Sequence, residues 1–319
     1  MFKHNQYNGE IWVSEKQKYF CVLEKYYSTI ILKTKFKKNT NGFFIEKIYG
    51  SFLKLGYVTF YNLFERKNST GVISYHEYEP KYIFVSSESF VEQPNKLTTK
   101  KISFYNDSIV EFIRKANHYD WLNKTIEINS EIDLKIHINK SRSLITNGHF
   151  DYQSSYEKLL LVNRGKFSIE DSEGFDLVSA IDQYNLFKEF MILFHGNFGQ
   201  FNYSRIILDK DYVIDLYYKD EKVLNTSNMF LGFTYQQIEN EYTSLLKNWF
   251  TNEDFRLVGR YIIDNLLYPK LDNKRKFTTS CSTFEAFVKR FVKNENSKFN
   301  FTNELKSMEV KISIYNRFR

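Results

Sequence analysis

The sequence predicts an α+β protein with a β-rich, sandwich-like N-terminal region, a helix-plus-hairpin middle and a short C-terminal helical region. Three observations carry that expectation. From Gly9 to about Gly148, short apolar runs recur every ten residues or so between turn residues, the rhythm of a sandwich or barrel. From Phe175 to Phe194 the apolar period changes to three and four residues, which marks one amphipathic helix. From Thr234 onward helical periodicity takes over. The domains expected are therefore residues 1–170 (β-rich), 171–232 (helix and hairpin) and 233–319 (helical tail).

The elements follow in order. Trp12-Val13, Tyr19 to Leu23, Ser28 to Leu32, Phe43 to Ile45, Lys47 to Phe52 and Tyr57 to Tyr61 read as strands, with a hairpin turn at Asn39-Thr40-Asn41-Gly42. Val72 to Tyr78, Tyr82 to Val85 and Lys101 to Tyr105 continue the series. Ser108 to Asp120 fits either a strand pair or a short helix. Lys124 to Ile128 and the strictly alternating Ile132 to Ile138 are strands, and Thr146-Asn147-Gly148 reads as a closing turn. Lys158 to Asn163 and Lys166 to Glu170 supply one or two more.

The central helix carries Leu177, Val178, Ile181, Tyr184, Phe187, Phe190, Met191 and Phe194 as one apolar stripe, with acidic and capping character from Ser172, Glu173 and Asp176 at its start and a stop at Gly196. Tyr203 to Leu208 and Tyr212 to Tyr218 form a hairpin-like pair. Two helical stripes then run from Tyr235 to Trp249 and from Phe255 to Leu266, ended by Pro269. A third helix is expected to start at Ser282-Thr283-Phe284-Glu285, which has the form of a capping box.

Composition bounds the function classes. Aromatics make up 18% of the 319 residues, and Lys, Asn and Ile are also abundant, a bias that an AT-rich genome produces without any base-stacking role. Two cysteines, Cys21 and Cys281, fit a reducing compartment and no disulfide framework. No apolar run approaches a signal peptide or a membrane span, so a cytoplasmic protein without membrane contact is expected. The net charge of +7 is unevenly spread. Residues 1–150 hold 22 Lys and Arg against 15 Asp and Glu, residues 151–272 hold 12 against 19, and the remainder is again basic. Such blocks satisfy one another or face a polyanion.

At this point the order of elements resembles a family. Gly9-Glu10-Ile11-Trp12, the strands leading to Ile48-Tyr49-Gly50, Val58-Thr59-Phe60 and His118-Tyr119-Asp120-Trp121-Leu122 resemble the N-terminal domain of ApeA-like proteins. Trp249 through Lys276-Phe277 to Phe284-Glu285-Ala286-Phe287 is similar to the lead-in of a HEPN domain, which here reads as truncated. The resemblance implies a bacterial anti-phage, abortive-infection protein in which a β-rich sensor controls a HEPN ribonuclease. The family's catalytic Arg and His stand four to six residues apart on late helices, and no His follows His195. The expectation is thus a non-catalytic recognition or regulatory module. Its partner would be a phage component, a HEPN effector, or RNA or DNA held by basic patches. The competing reading is a HEPN-type ribonuclease with a degenerate or dimer-composed site.

No complete catalytic, cofactor-binding or metal-binding motif occurs in the sequence. Arg142 and His149 have the pair's spacing but end in Asn-Gly, a strand-and-turn signal. His4, His76, His118, His137 and His195 lack a ligand partner at metal spacing. The acidic residues Glu170, Asp171 and Glu173, and the pair Asp209 and Asp211, sit at predicted element ends, where acids cap and turn. Lys33, Lys35, Lys37 and Lys38 around Phe36, then Lys100-Lys101 and Asn273 to Lys276, are the candidate nucleic-acid patches. The lysines on Lys33 to Lys37 also fit a solvated strand edge that resists aggregation.

Overall fold

The computed structural model describes residues 6–14, 17–26, 29–36, 44–69, 75–113, 118–120, 125–127, 132–154, 159–196, 198, 201–208, 212–218, 232–267 and 273–291. The Asn39–Gly42 turn, the Asp209 and Asp211 pair, His4, Lys37, Lys38 and Pro269 lie outside them. Strands β1 (Gln6–Ser14), β2 (Gln17–Tyr26), β3 (Thr29–Thr34), β4 (Phe44–Phe52), β5 (Gly56–Ser69) and β6 (Tyr75–Ser86) pair antiparallel in the ring order β6-β3-β2-β1-β4-β5, and β5 returns to β6. The ring is a closed six-stranded barrel, so the expected sandwich-like region takes its closed form. Ile11, Leu23, Leu32, Ile48, Phe60 and Tyr78 fill its interior, as the inward positions of a small barrel must.

Strand β6 serves two sheets. Its first half pairs with β3 through His76, Glu77 and Tyr78, and its second half pairs with β14 (Val213–Tyr218) through Tyr82 to Ser86. Pro80 falls between these two partners, at the one stretch of that edge with no ladder bond to make. A residue without an N–H is tolerated there. For this reason the run ending at Tyr78 and the run starting at Tyr82, which the sequence reads as separate, form one strand from Tyr75 to Ser86, while Val72 to Ser74 lie outside the described residues.

From β6 the sheet continues as an open antiparallel layer. It is built from β14, β13 (Phe201–Ile207), β7 (Thr98–Asn106), β12 (Leu159–Asp176), β11 (Arg142–Ser154) and β10 (Ile132–His137). A separate two-stranded pair joins β8 (His118–Asp120) to β9 (Thr125–Glu127). The expected turn at Thr146-Asn147-Gly148 is instead the middle of β11. Gly148 stands opposite Gly165 of β12, and helix α1 (Asp107–Ile113) lies across the pair. A Cβ at Gly165 would sit 2.7 Å from the Ile109 Cβ and 2.8 Å from the Val110 nitrogen. These glycines therefore admit a helix rather than bend a chain.

Helix α2 (Leu177–His195) covers the inner face of this open layer. The Asp176 carboxylate accepts from the Ser179 amide at 2.8 Å, and Gly196 closes the helix in the left-handed region at φ 72°. Tyr184 stacks on Phe104, and Phe187 stacks on Phe167 with ring centroids 4.0 Å apart. The buried stripe differs from the expected one: Val178 is 56% exposed and Ile181 and Phe194 are half-buried, while Ala180, Lys188 and Ile192 are buried. Outside α2, α3 (Glu239–Thr251) is fastened by Trp249 Nε1 donating to the Leu186 carbonyl at 2.7 Å and by a Thr146–Tyr242 hydroxyl bond of 2.8 Å.

Helices α4 (Glu253–Leu267) and α5 (Asn273–Phe291) follow. The Ser282 to Glu285 box is interior to α5, not its start. Thr278, Thr279 and Thr283 each donate to the carbonyl four residues earlier, so their hydroxyls are absorbed within the helix. A capping box occurs instead at Thr234 and Gln237, where a 3-10 turn leads into α3. Among the described residues, no helix is long and apolar enough to cross a membrane.

Candidate functional site

The segment after β6 is strapped across the outside of the barrel. Ser86 Oγ accepts from the amides of Glu88 and Ser89 at 3.1 and 3.3 Å. The Val91 amide donates to Thr59 Oγ1 at 3.0 Å, and the Tyr61 hydroxyl donates to the Val91 carbonyl at 3.0 Å. Lys47 Nζ donates to the Glu92 carbonyl at 3.3 Å. These bonds fix residues 86–92 against β4 and β5 and create a different surface on each side of the strap.

On one side Phe90 is held among three rings of the barrel wall. Its centroid lies 4.9 Å from Tyr49, 5.0 Å from Tyr57 and 5.5 Å from Trp12. Lys18 Nζ stands 5.1 Å from the Trp12 ring, and Lys47 Nζ stands 4.9 Å from the Tyr49 ring; both are cation–π distances. Beside Trp12 opens a shallow hollow of about 370 Å³ floored by Asn8, Glu10 and Ser51. Phe20 and Leu53 rim it at 66% and 75% exposure. An apolar, aromatic surface of this kind, edged by charge, is what association sites look like.

On the other side is a cavity of about 310 Å³ between the barrel and the start of α2. The barrel wall contributes Glu46, Tyr61, Asn62 and Tyr82, and Leu177, Val178 and Ile181 face them from the helix. A kink in the wall makes this lining. In β5, Phe60 and Leu63 are both buried in the barrel core, and in β4 Ile45 and Ile48 pack on that same core. Strand side chains alternate with period two, so residues three apart share a face only where the backbone is irregular.

Asn62 supplies the irregularity with φ 54°, a left-handed conformation that Asn tolerates better than most residues. As a result Glu46 and Lys47, and Tyr61 and Asn62, are left outside the barrel core as consecutive residues. The ladder flanks them with Ile45 opposite Leu63 and Lys47 opposite Tyr61. Burial, with Tyr49, Glu46 and Glu92 adding to it, pushes the Tyr61 hydroxyl above its ordinary range, so it acts as a neutral donor.

The residues singled out from sequence fall elsewhere. Arg142 and His149 lie on the one strand β11, at positions of opposite parity and about 23 Å apart at ~3.3 Å per residue. Arg142 Nε donates to the Asp171 carboxylate at 2.7 Å and its guanidinium lies over the Phe175 ring. Burial alone would raise the Asp171 pKa, but the Arg142 bond and the Glu173 amide hold it below the ordinary value. Glu170 is likewise opposed by burial yet lowered, by Lys101 at 2.7 Å and Lys135 at 3.0 Å.

Lys33 pairs with Glu24 and Glu77, while Phe36 is buried in the barrel core. Its ring is spent on packing. His76 bonds Glu65 at 2.8 Å, and His137 bonds Ser143 at 2.9 Å. Among the described residues no group of three or more His, Cys, Asp or Glu is placed to hold a metal ion.

Sequence reasoning reached Trp12 only through the Gly9-Glu10-Ile11-Trp12 motif and missed Phe90 and Asn62. Phe90 sits in a stretch without periodicity, and a left-handed Asn inside a strand leaves no pattern to read. A family model described as ApeA N-terminal domain 1 matches residues 6–249, a span that ends within α3. No curated protein and no solved structure matches the chain.

Proposed function

The chain belongs to the family of the ApeA N-terminal domain 1, and from that premise we propose that it is the non-catalytic recognition module of an ApeA-like anti-phage system. The observation that carries the reading is the strap that holds Phe90 among Trp12, Tyr49 and Tyr57. Rigid aromatic rings that keep part of their surface in water lose little freedom when a partner covers them, and Trp and Tyr dominate the energetics of such contacts. Lys18 and Lys47 beside the rings favour an acidic rim on the partner. A phage-encoded protein is the partner this chemistry suits, and its capture would be passed on to an effector.

A ribonuclease reading needs an arginine to stabilise the phosphate and a histidine to handle the 2′-hydroxyl proton, converging on one site. The placement of residues 142 and 149 along one strand argues against that convergence. The test is incubation of the purified protein with total RNA beside a His149→Ala variant. RNA that stays intact with both proteins supports the recognition reading. RNA loss by the wild type that vanishes in the variant would replace it with the ribonuclease.

A further inference from the structure

The cavity between the barrel wall and α2 has a chemistry that the recognition reading does not use. We infer that it is a binding site for a purine nucleotide, with guanine as the base. Its walls are of two kinds. Leu177, Val178 and Ile181 of α2 line it together with Tyr61, Tyr82 and Phe84 of the barrel and Pro94 just beyond the strap, giving a slot rich in apolar and aromatic side chains of the kind that receive a flat ring. The volume of about 310 Å³ lies at the low end of the range of roughly 300–1,000 Å³ for small-molecule pockets. It suits one bicyclic base.

The polar groups then choose the base. Glu46 and Asn62 stand on neighbouring strands between the ladder pairs Ile45–Leu63 and Lys47–Tyr61, and both line the cavity. A carboxylate only accepts hydrogen bonds, whereas an amide both donates and accepts. Guanine offers two adjacent donors, N1–H and the 2-amino group, followed by the O6 acceptor. The Glu46 carboxylate takes the two donors and the Asn62 amide donates to O6. Adenine would turn its N1 lone pair towards the carboxylate and be repelled.

Charge completes the assignment. Lys47 Nζ lies 6.0 Å from the Tyr61 ring and Lys81 Nζ lies 5.7 Å from the Tyr82 ring. An ammonium group therefore stands beside each lining tyrosine, where a nucleotide phosphate emerging from the slot is stabilised. The kink at Asn62 gains a purpose on this account. Without its left-handed backbone, strand alternation would turn either Tyr61 or Asn62 into the barrel core.

The inference shares Lys47 with the recognition reading, but its test touches neither Phe90 nor a phage partner, so the two fail separately. Calorimetric titration of the full chain with GMP and with AMP is the experiment. Wild-type protein should bind GMP at least about tenfold more tightly than AMP, the worth of a single hydrogen bond to a charged group. Glu46→Gln removes the carboxylate at an exposed position. Asn62→Gly removes the amide yet keeps the φ 54° backbone. Each should weaken GMP binding by about tenfold or more while the melting temperature holds. Absence of GMP binding to the wild type, equal binding of GMP and AMP, or GMP affinity indifferent to Glu46→Gln would each overturn the assignment.

Discussion

The Phe90 patch on the outer face of the barrel and the outer face of the open layer are made by the same device, alternating antiparallel strands, and they end in different chemistry. On the open layer the outward positions are compensated. Lys101 and Lys135 converge on Glu170, Arg205 forms two bonds to Asp215, and Ser103 bonds Ser168 across strands. On the barrel, Trp12, Tyr49, Tyr57 and Phe90 group against one another with lysines at their edge. A face whose charges are already paired keeps little apolar area in water, so a partner that covers it gains little beyond exchanging ion pairs worth about 0–1 kcal/mol each. A face of clustered rings keeps apolar area in water that only association removes. The difference is what supports the proposed recognition surface on the barrel.

The comparison is broken most severely from inside. Phe187→Ala removes a ring stacked on Phe167 in the core beneath the open layer and should cost about 3–5 kcal/mol, measured by chemical denaturation. Barrel packing around Ile11 and Phe60 does not include that ring. A barrel face that kept its partner while the open layer loosened would sharpen the contrast. Gly165→Ala comes next, with about 1–3 kcal/mol expected, because its Cβ would meet the Val110 backbone nitrogen at 2.8 Å and displace α1. A loss below a few tenths of a kcal/mol would show that α1 slides freely.

The smallest effect is in pH. Burial pushes the His195 pKa below its ordinary 6.5, against the opposing influence of the Phe233 carbonyl and Glu111. The folded state thus binds its proton less readily than the unfolded chain. The stability it contributes is full above pH 6.5 and falls as pH drops below that value towards the folded pKa. Melting curves between about pH 7.5 and about pH 5, the interval around an unperturbed histidine, should show this decline in the wild type and a flatter one in His195→Gln.

The parts of the fold that follow local rules were legible. The α2 boundaries at Asp176 and Gly196 follow from a side-chain cap and a left-handed glycine, both local in sequence. The alternation of Ile132 to Ile138 gave β10. Non-local causes hid the rest. Pro80 is tolerated because β3 and β14 share one edge of β6 and leave it a gap. Asn147-Gly148 looks like a turn until α1 is seen lying on Gly148 and Gly165. Val178 reads as core by period, yet it ends at a cavity mouth. The candidate site belongs to this second class: Phe90 meets its three rings only because the strap is tied to Thr59 and Tyr61.

If recognition runs through the barrel face, phage plating on cells that carry the intact system will show it. The comparison is between wild type, Trp12→Ala/Phe90→Ala on the barrel face and Lys101→Ala/Lys135→Ala on the open layer, with melting temperature checked for each. The account predicts that protection is lost in the barrel-face variant and kept in the open-layer variant. Protection that survives Trp12→Ala/Phe90→Ala in a folded protein would contradict it.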